Sequence, residues 1–427
     1  MDTRKPPGHD GRRRQGVRDR RVSGPGLAYT DARGRIYFDE DREPLADAGV
    51  FRRALPDELI PAPPGTVTTM LPKRTPLLAA GAAAPASRTA LGALLPAGYT
   101  RLLIPAYARR AGAPQLPLFG YSFACVVDDA LHVAAMRTDE SEDWRPRYFG
   151  EGELEALIAR RRAVDPSNRT LAQVALCSRE YGCFTAQNVF LERGEAAIPV
   201  SPKCNAACVG CISQLDPGSE IPSPQTRLAY EPAAAELARV GIHHLERVPD
   251  GVVSFGQGCE GEPLLRATTI AKTIESIRGA RANGTINVNT NGSLPRSLQR
   301  LIDAGLQAVR VSLNSFRSAV YAAYYRPAGY ALDDVLESIA LAVRSGLRVS
   351  LNYLTHPGVT DEREEVETME RFLRAHRVAM VQTRTLNIDP ETYFGCVGRP
   401  ADPIGMRAAL QRISSAGVAL GNFTHTH

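Results

Sequence analysis

"KCNAACVGCISQ", from Lys203 to Gln214, places Cys204, Cys208 and Cys211 within eight residues at C-x3-C-x2-C spacing. Clustered thiols in a chain of 427 residues with only eight cysteines are not a disulfide framework and point to metal. Structural zinc and [4Fe–4S] clusters both take four ligands. A zinc staple usually pairs two C-x2-C knuckles or adds histidines, and this loop has no second knuckle nearby. Three thiolates on a cuboidal cluster leave one iron open, and an open coordination position can bind a reactant. The count of three therefore reads as a reactive centre more naturally than as a staple.

The surroundings of the loop decide the fold. Apolar or β-branched runs at 196–201, 251–256, 285–290, 308–313, 348–354 and 380–386 read as strands. Between them lie helical segments such as "EPAAAELARVG", "TTIAKTIESIRGAR", "PRSLQRLIDAG", "DDVLESIALAVRSG" and "DEREEVETMERFLRAH", several starting at Asp or Pro and stopping at Gly. Six β/α units in series predict parallel strands with right-handed crossovers, an α/β partial (β/α)6 TIM-like barrel with its chemistry at the strands' C-terminal ends. The cysteine loop follows the first strand, "GQGCEGEPLL" the second and "NTNGSLP" the third. "SLNS", "LNYLTHPG" and "RTLNIDP" end the remaining three. All six stretches project onto one face.

With these companions in order, residues from about 195 to 390 resemble the radical S-adenosylmethionine superfamily. "GCEGEPLL" looks like its Gly-Glu-Pro loop, "VNTNGSLP" its Thr-Asn-Gly turn, and "LIDAGLQAVRVSLNSFRSAVYAAYYRP" its fourth-strand segment. The resemblance implies a [4Fe–4S] cluster on Cys204, Cys208 and Cys211, with S-adenosylmethionine on the fourth iron. It implies that Gly261 and Glu262 meet the methionine ammonium, and that Ser312 and Asn314 face the ribose or carboxylate. Asn289 and Asn291 become polar neighbours, and Arg326 a partner for the carboxylate. An electron donor of flavodoxin or ferredoxin type is implied, with a small-molecule or peptide substrate. Two departures stand out: Gly210 occupies a position commonly aromatic in the family, and Cys259 and Glu260 are extra residues in the second loop. Cys259 reads either as a catalytic hydrogen-atom donor or as a small buried thiol. The rival to an enzyme is a non-catalytic zinc or iron–sulfur binding module, which would have no use for Glu262 or the Thr290-Asn291-Gly292 turn.

The rest of the chain divides into residues 1–55, a basic and mostly disordered tail with a possible hairpin at "GLAYTDARGRIYFDE"; 56–190, a smaller mixed α+β N-terminal domain; 195–390, the barrel; and 391–427, a C-terminal helix and tail. Eight Lys/Arg and three Asp fall in residues 1–21, which hold the whole excess of +5 and leave 43 basic against 43 acidic residues beyond. A neutral folded part argues against a nucleic-acid surface. No stretch reaches the ~18 apolar residues of a membrane span, and polar opening residues predict a cytoplasmic location. Asp128-Asp129 reads as a turn between two strands and not as a carboxylate dyad. "GELEALIARRRA" and "LAQVALCSREYGCFTAQNVF" have helical spacing. Cys177 and Cys183 read as core, with a second cluster shared with Cys259 or Cys396 as the alternative. His356 falls at the end of strand five, facing the site. Arg384, Asn387 and Asp389 lie past the sixth strand on the active face. His243 and His244 sit where a helix ends, and His425 and His427 in a solvated terminus.

Overall fold

The computed structural model describes residues 24–139, 152–280 and 282–422. The basic segment, as well as His425 and His427, therefore lies outside the described residues.

The β/α repeats form one parallel sheet. Its strands are β1 (Glu195–Ile198), β2 (Val252–Phe255), β3 (Thr285–Thr290), β4 (Ala308–Leu313), β5 (Arg348–Thr355), β6 (Met380–Thr385) and β7 (Ala419–Gly421), hydrogen-bonded in that order. Every neighbouring pair is parallel. The six expected strands are all present. The seventh comes from the segment expected to be helix and tail, where three residues pair with Met380–Gln382. The connecting helices are α1 (Ala234–Arg247), α2 (Ala267–Gly279), α3 (Pro295–Asp303), α4 (Ser318–Tyr325), α5 (Leu332–Arg344), α6 (Arg363–Ala375), α7 (Pro390–Val397) and α8 (Met406–Ser415). Their apolar stripes cover one face of the sheet. Val253, Phe255, Ile286, Val288, Val309, Val311, Leu351 and Val381 share a single core with Leu237, Ile274, Leu298, Val335 and Met369.

Register aligns the strands' other face. Asn289 stands opposite Arg310, which stands opposite Ser350. Ser312, Asn352 and Gln382 form a second row, and Leu354 faces Arg384. Polar side chains thus recur along the inner side of the barrel, at 289, 310, 312, 350, 352, 382 and 384, with Leu354 and Met380 among them.

Residues before β1 build an eight-stranded sheet whose pairings are all antiparallel. Tyr121–Val127 and Ala130–Arg137 are its hairpin. Asp128 and Asp129 turn it with φ of 49° and 59°, left-handed values that Asp tolerates better than most residues. The strands Gly26–Thr30 and Ile36–Asp39 belong to this sheet, so it draws on residues from both sides of the expected division at 55. Three helices follow: Glu153–Val164, Arg169–Glu180 and Phe184–Leu191. The single helical stretch expected over 171–190 is broken at Gly182, where φ is +57°.

The sheet docks on the active end of the barrel. Fully buried Arg101 donates to Tyr121 O (3.1 Å) and to Leu386 O (3.0 Å), just past β6. Arg74 reaches Asp389 (3.2 Å) and Glu391 (2.6 Å). Phe119 O accepts from Ile388 N (3.2 Å).

Candidate active site

The cysteine loop is clamped from two sides. On one, Gly261 N donates to Ser201 O (2.7 Å) and Glu262 N to Lys203 O (2.8 Å). A Cβ on Gly261 would lie 2.0 Å from Lys203 O, so this approach requires glycine. On the other, Ala207 N donates to Tyr325 O, Val209 N to Tyr324 O (both 3.0 Å), and Ala328 N to Asn205 O (2.9 Å). The Tyr324 hydroxyl lies 3.0 Å from where a Cβ at Gly210 would sit. An aromatic ring thus does border position 210, supplied by α4 instead of by the loop.

Two cavities meet at these cysteines. One, of about 380 Å³, is lined by Cys204 and Cys208 together with Gly261, Glu262, Asn289, Asn291 and Ser312. Its deeper wall is Glu195, Arg310, Asn352, Gln382 and Arg384. The other, of about 850 Å³, touches Cys204, Cys208, Lys203, Arg227 and Arg326. Cys211 lines neither, and its Sγ accepts from Arg227 Nη2 at 3.2 Å.

Burial sets the electrostatics. It pushes the Cys204 and Cys208 thiols above the ordinary value, so bound metal would have to displace their protons. It pushes Glu262 up to about 7, against hydrogen bonds from Asn291 N (2.8 Å), Thr290 Oγ1 and Leu264 N (2.9 Å). The bonds from Thr290 and Asn291 tie the second loop to the Thr-Asn-Gly turn, and the bond from Leu264 N closes the loop on itself. A carboxylate offers about four acceptor positions, so one remains for a ligand. Glu260 does similar work out of reach of the cavity. It accepts from Val200 N, Ser201 N and Gln257 N, each at 2.7 Å, while burial raises it to about 8.

The donor set fits an iron–sulfur cluster. The three thiols come from one clamped loop beside a cavity, with a guanidinium already against one sulfur. A cuboidal cluster takes each thiolate at a separate iron.

Several expected residues lie elsewhere. Cys259 lines neither cavity; it is buried against Cys177, whose hydrogen bond, with burial, raises the Cys259 thiol and is itself lowered in return. Asn314 is fully buried and donates to Tyr393 Oη (3.1 Å), away from the cavity that Ser312 lines. Arg326 faces the larger cavity only, paired with Asp216 at 3.5 Å. His356 packs between Tyr393 and Phe394, with ring centroids at 4.7 and 5.0 Å, and does not reach the site. Asp389 caps α7 and accepts from Leu116 N (2.7 Å), making it a joint between the two units. Asn387 is exposed. Conversely, Glu195, Arg310, Asn352 and Gln382 line the cavity and were not singled out. Their signal is the alternation in "AVRVSL" and "VSLNYL", where every second residue is polar although parallel strands covered on both faces ordinarily run apolar.

A barrel of parallel strands carrying a three-cysteine loop at its C-terminal rim, over a polar cavity, has the build of a metal-cluster barrel. Residues 198–372 match the family model described as "Radical SAM superfamily". That segment is a radical SAM domain, and enzymes of that superfamily use a [4Fe–4S] cluster and S-adenosylmethionine. It is 27% identical over 246 residues to the FeMo cofactor biosynthesis protein NifB of Klebsiella pneumoniae, covering 54% of this chain and 51% of that protein. It is 30% identical over 198 residues to GTP 3',8-cyclase 2 of Mycobacterium tuberculosis (strain ATCC 25618 / H37Rv), covering 44% and 50%. Among solved structures, Streptococcus suis SuiB aligns with a TM-score of 0.39 at 11% identity, covering 67% of this chain and 68% of that one. The chain spans about half the length of these two curated relatives. Among the described residues no helix is long and apolar enough to cross a membrane.

Proposed function

We propose that this chain is a radical S-adenosylmethionine enzyme acting on a polar small molecule or peptide. The observation that carries the reading is convergence: Cys204 and Cys208 border the same cavity as Gly261, Glu262, Asn291 and Ser312, which come from the ends of four different strands. Cys204, Cys208 and Cys211 would hold the cluster. When bound, the cluster and S-adenosylmethionine supply one electron and a 5′-deoxyadenosyl radical that abstracts a hydrogen atom from substrate.

The chain's own groups orient and enclose. Glu262, with one acceptor position left, suits the methionine ammonium. Asn289, Asn291 and Ser312 offer neutral polar groups to the rest of the cofactor. Arg227 Nη2 donates to Cys211 Sγ at 3.2 Å and so fixes the position of that sulfur. Burial of Glu262 keeps its carboxylate out of bulk water. A one-electron donor of flavodoxin or ferredoxin type completes the system in a cytoplasmic setting.

The test is anaerobic reconstitution with iron and sulfide, chemical reduction, addition of S-adenosylmethionine, and chromatography for 5′-deoxyadenosine. Wild type should yield the nucleoside and Cys208→Ala should not. One tightly held zinc per chain with no nucleoside would sink the proposal and establish a metal-binding module.

A further inference from the structure

We propose that the barrel lumen binds an oxyanion of the substrate, a carboxylate or a phosphate, through the Arg384 guanidinium. The inference rests on the functional reading above, because it takes the lumen to be the substrate's place.

Closed eight-stranded barrels fill their interior with layers of branched apolar side chains. The seven-stranded sheet here, hydrogen-bonded from β1 to β7, faces a polar lumen instead. Asn289 from β3, Arg310 and Ser312 from β4, Asn352 from β5, and Gln382 and Arg384 from β6 line the 380 Å³ cavity, along with Glu195 at the start of β1. A polar lumen of that size is wasteful for packing and suited to a small polar ligand.

The charges within it do not balance locally. Arg310 is satisfied: its Nη1 and Nη2 reach the two oxygens of Glu195 at 2.7 and 3.0 Å, and Nη1 also reaches Asn289 Oδ1 at 3.0 Å. Glu262 is held by its three internal donors. Among the described residues the Arg384 guanidinium has a single hydrogen bond, from Nε to Asn352 Oδ1 at 3.3 Å, and no ion pair. Its fork is left for a ligand. Desolvation and the like charge of Arg310 hold Arg384 below the ordinary arginine value, with Glu195 and Asp139 pulling the other way. An incoming oxyanion would relieve that cost while accepting two parallel N–H bonds.

The experiment is isothermal titration of the anaerobically reconstituted full chain with inorganic phosphate and, separately, with succinate. Wild type should bind one of them saturably. Arg384→Gln should bind it at least about tenfold more weakly, the loss expected for a hydrogen-bonded charge. Arg384→Lys, which keeps the charge and loses the fork, should fall between and serves if the Gln variant does not fold. Preference for phosphate would make the substrate a phosphorylated molecule, and preference for succinate a carboxylate. Affinity for S-adenosylmethionine should not change in either variant. Binding of neither probe to wild type, or equal binding to Arg384→Gln, overturns the inference. So does a loss of S-adenosylmethionine affinity with oxyanion binding intact, which would assign the guanidinium to the methionine carboxylate. Wild type that forms 5′-deoxyadenosine but binds neither probe loses only this inference. Oxyanion binding without nucleoside loses only the proposed function.

Discussion

Along Tyr121–Val127 of the antiparallel sheet, the first six side chains are all buried. Phe123 and Cys125 pack with Leu102, Leu103 and, from α8, Met406 and Leu410; Ala124 packs with Ala28, Leu91 and Val133. Along β5 of the barrel, Val349, Leu351 and Tyr353 point to the helices while Ser350 and Asn352 turn inward with the polar rows. Ordinarily an antiparallel strand alternates and a buried parallel strand runs apolar. Here the two have exchanged patterns. The difference teaches that alternation reports what each face meets, not which way the neighbouring strand runs. The antiparallel strand is pressed between two apolar layers, and the barrel strands look onto a cavity.

The sharpest way to break that comparison is Leu351→Ala. Its side chain is fully buried on the helix side, and truncation should cost about 3 kcal/mol, read as a lower urea midpoint. A cost below about 1 kcal/mol would mean that the outer face is not the core. Next is the seam between the regions. Arg101→Met removes two hydrogen bonds and leaves the Tyr121 and Leu386 carbonyls unpaired, which should cost about 2 kcal/mol and expose 386–391 to protease. Retained stability and protease resistance would show that the sheet does not brace the sixth loop.

The seam should also respond to acid. Burial, then the positive charge of Arg101, holds His356 well below its ordinary value. The folded protein therefore binds that proton less tightly than the unfolded chain. Stability from this group is complete above about pH 6.5 and falls as pH drops, by up to about 1.4 kcal/mol per pH unit. His356→Gln should flatten the decline below about pH 6.5, leaving the share of His244, which burial also lowers. An unchanged slope would place the acid sensitivity elsewhere. The smallest stability effect belongs to the lumen. Asn352→Leu, one residue from Leu351, should cost under about 1 kcal/mol and weaken oxyanion binding severalfold, because it releases Arg384 Nε. A cost matching that of Leu351→Ala would mean that the lumen is core after all.

The barrel was legible because each β/α unit carries its own periodicity and caps, and because Cys204, Cys208 and Cys211 lie close in sequence. β7 escaped because "ALG" is three residues long and gains its partners only from β6. Asn314 and Ser312 look equivalent in "SLNS", yet the chain turns after Leu313, and Asn314 leaves the inner row for Tyr393. Cys259 sits in the right loop but points into the core, a choice made by Cys177 from 82 positions away. Arg310 and Glu195 are separated by 115 residues, so their ion pair has no local signature. The antiparallel unit was least legible: its strands are short, its turns vary, and its pairings join distant segments such as Gly26 with Val126.

The clamps on the cysteine loop tie it to distant parts of the chain. Six backbone groups of the loop, from Ser201 to Val209, are engaged by Gly261, Glu262, Glu260, Tyr324, Tyr325 and Ala328. Whatever group the thiols take up meets a loop whose course is held jointly by the ends of the second and fourth strands, so a substitution at Gly261 or beside Tyr324 would be felt at the sulfurs.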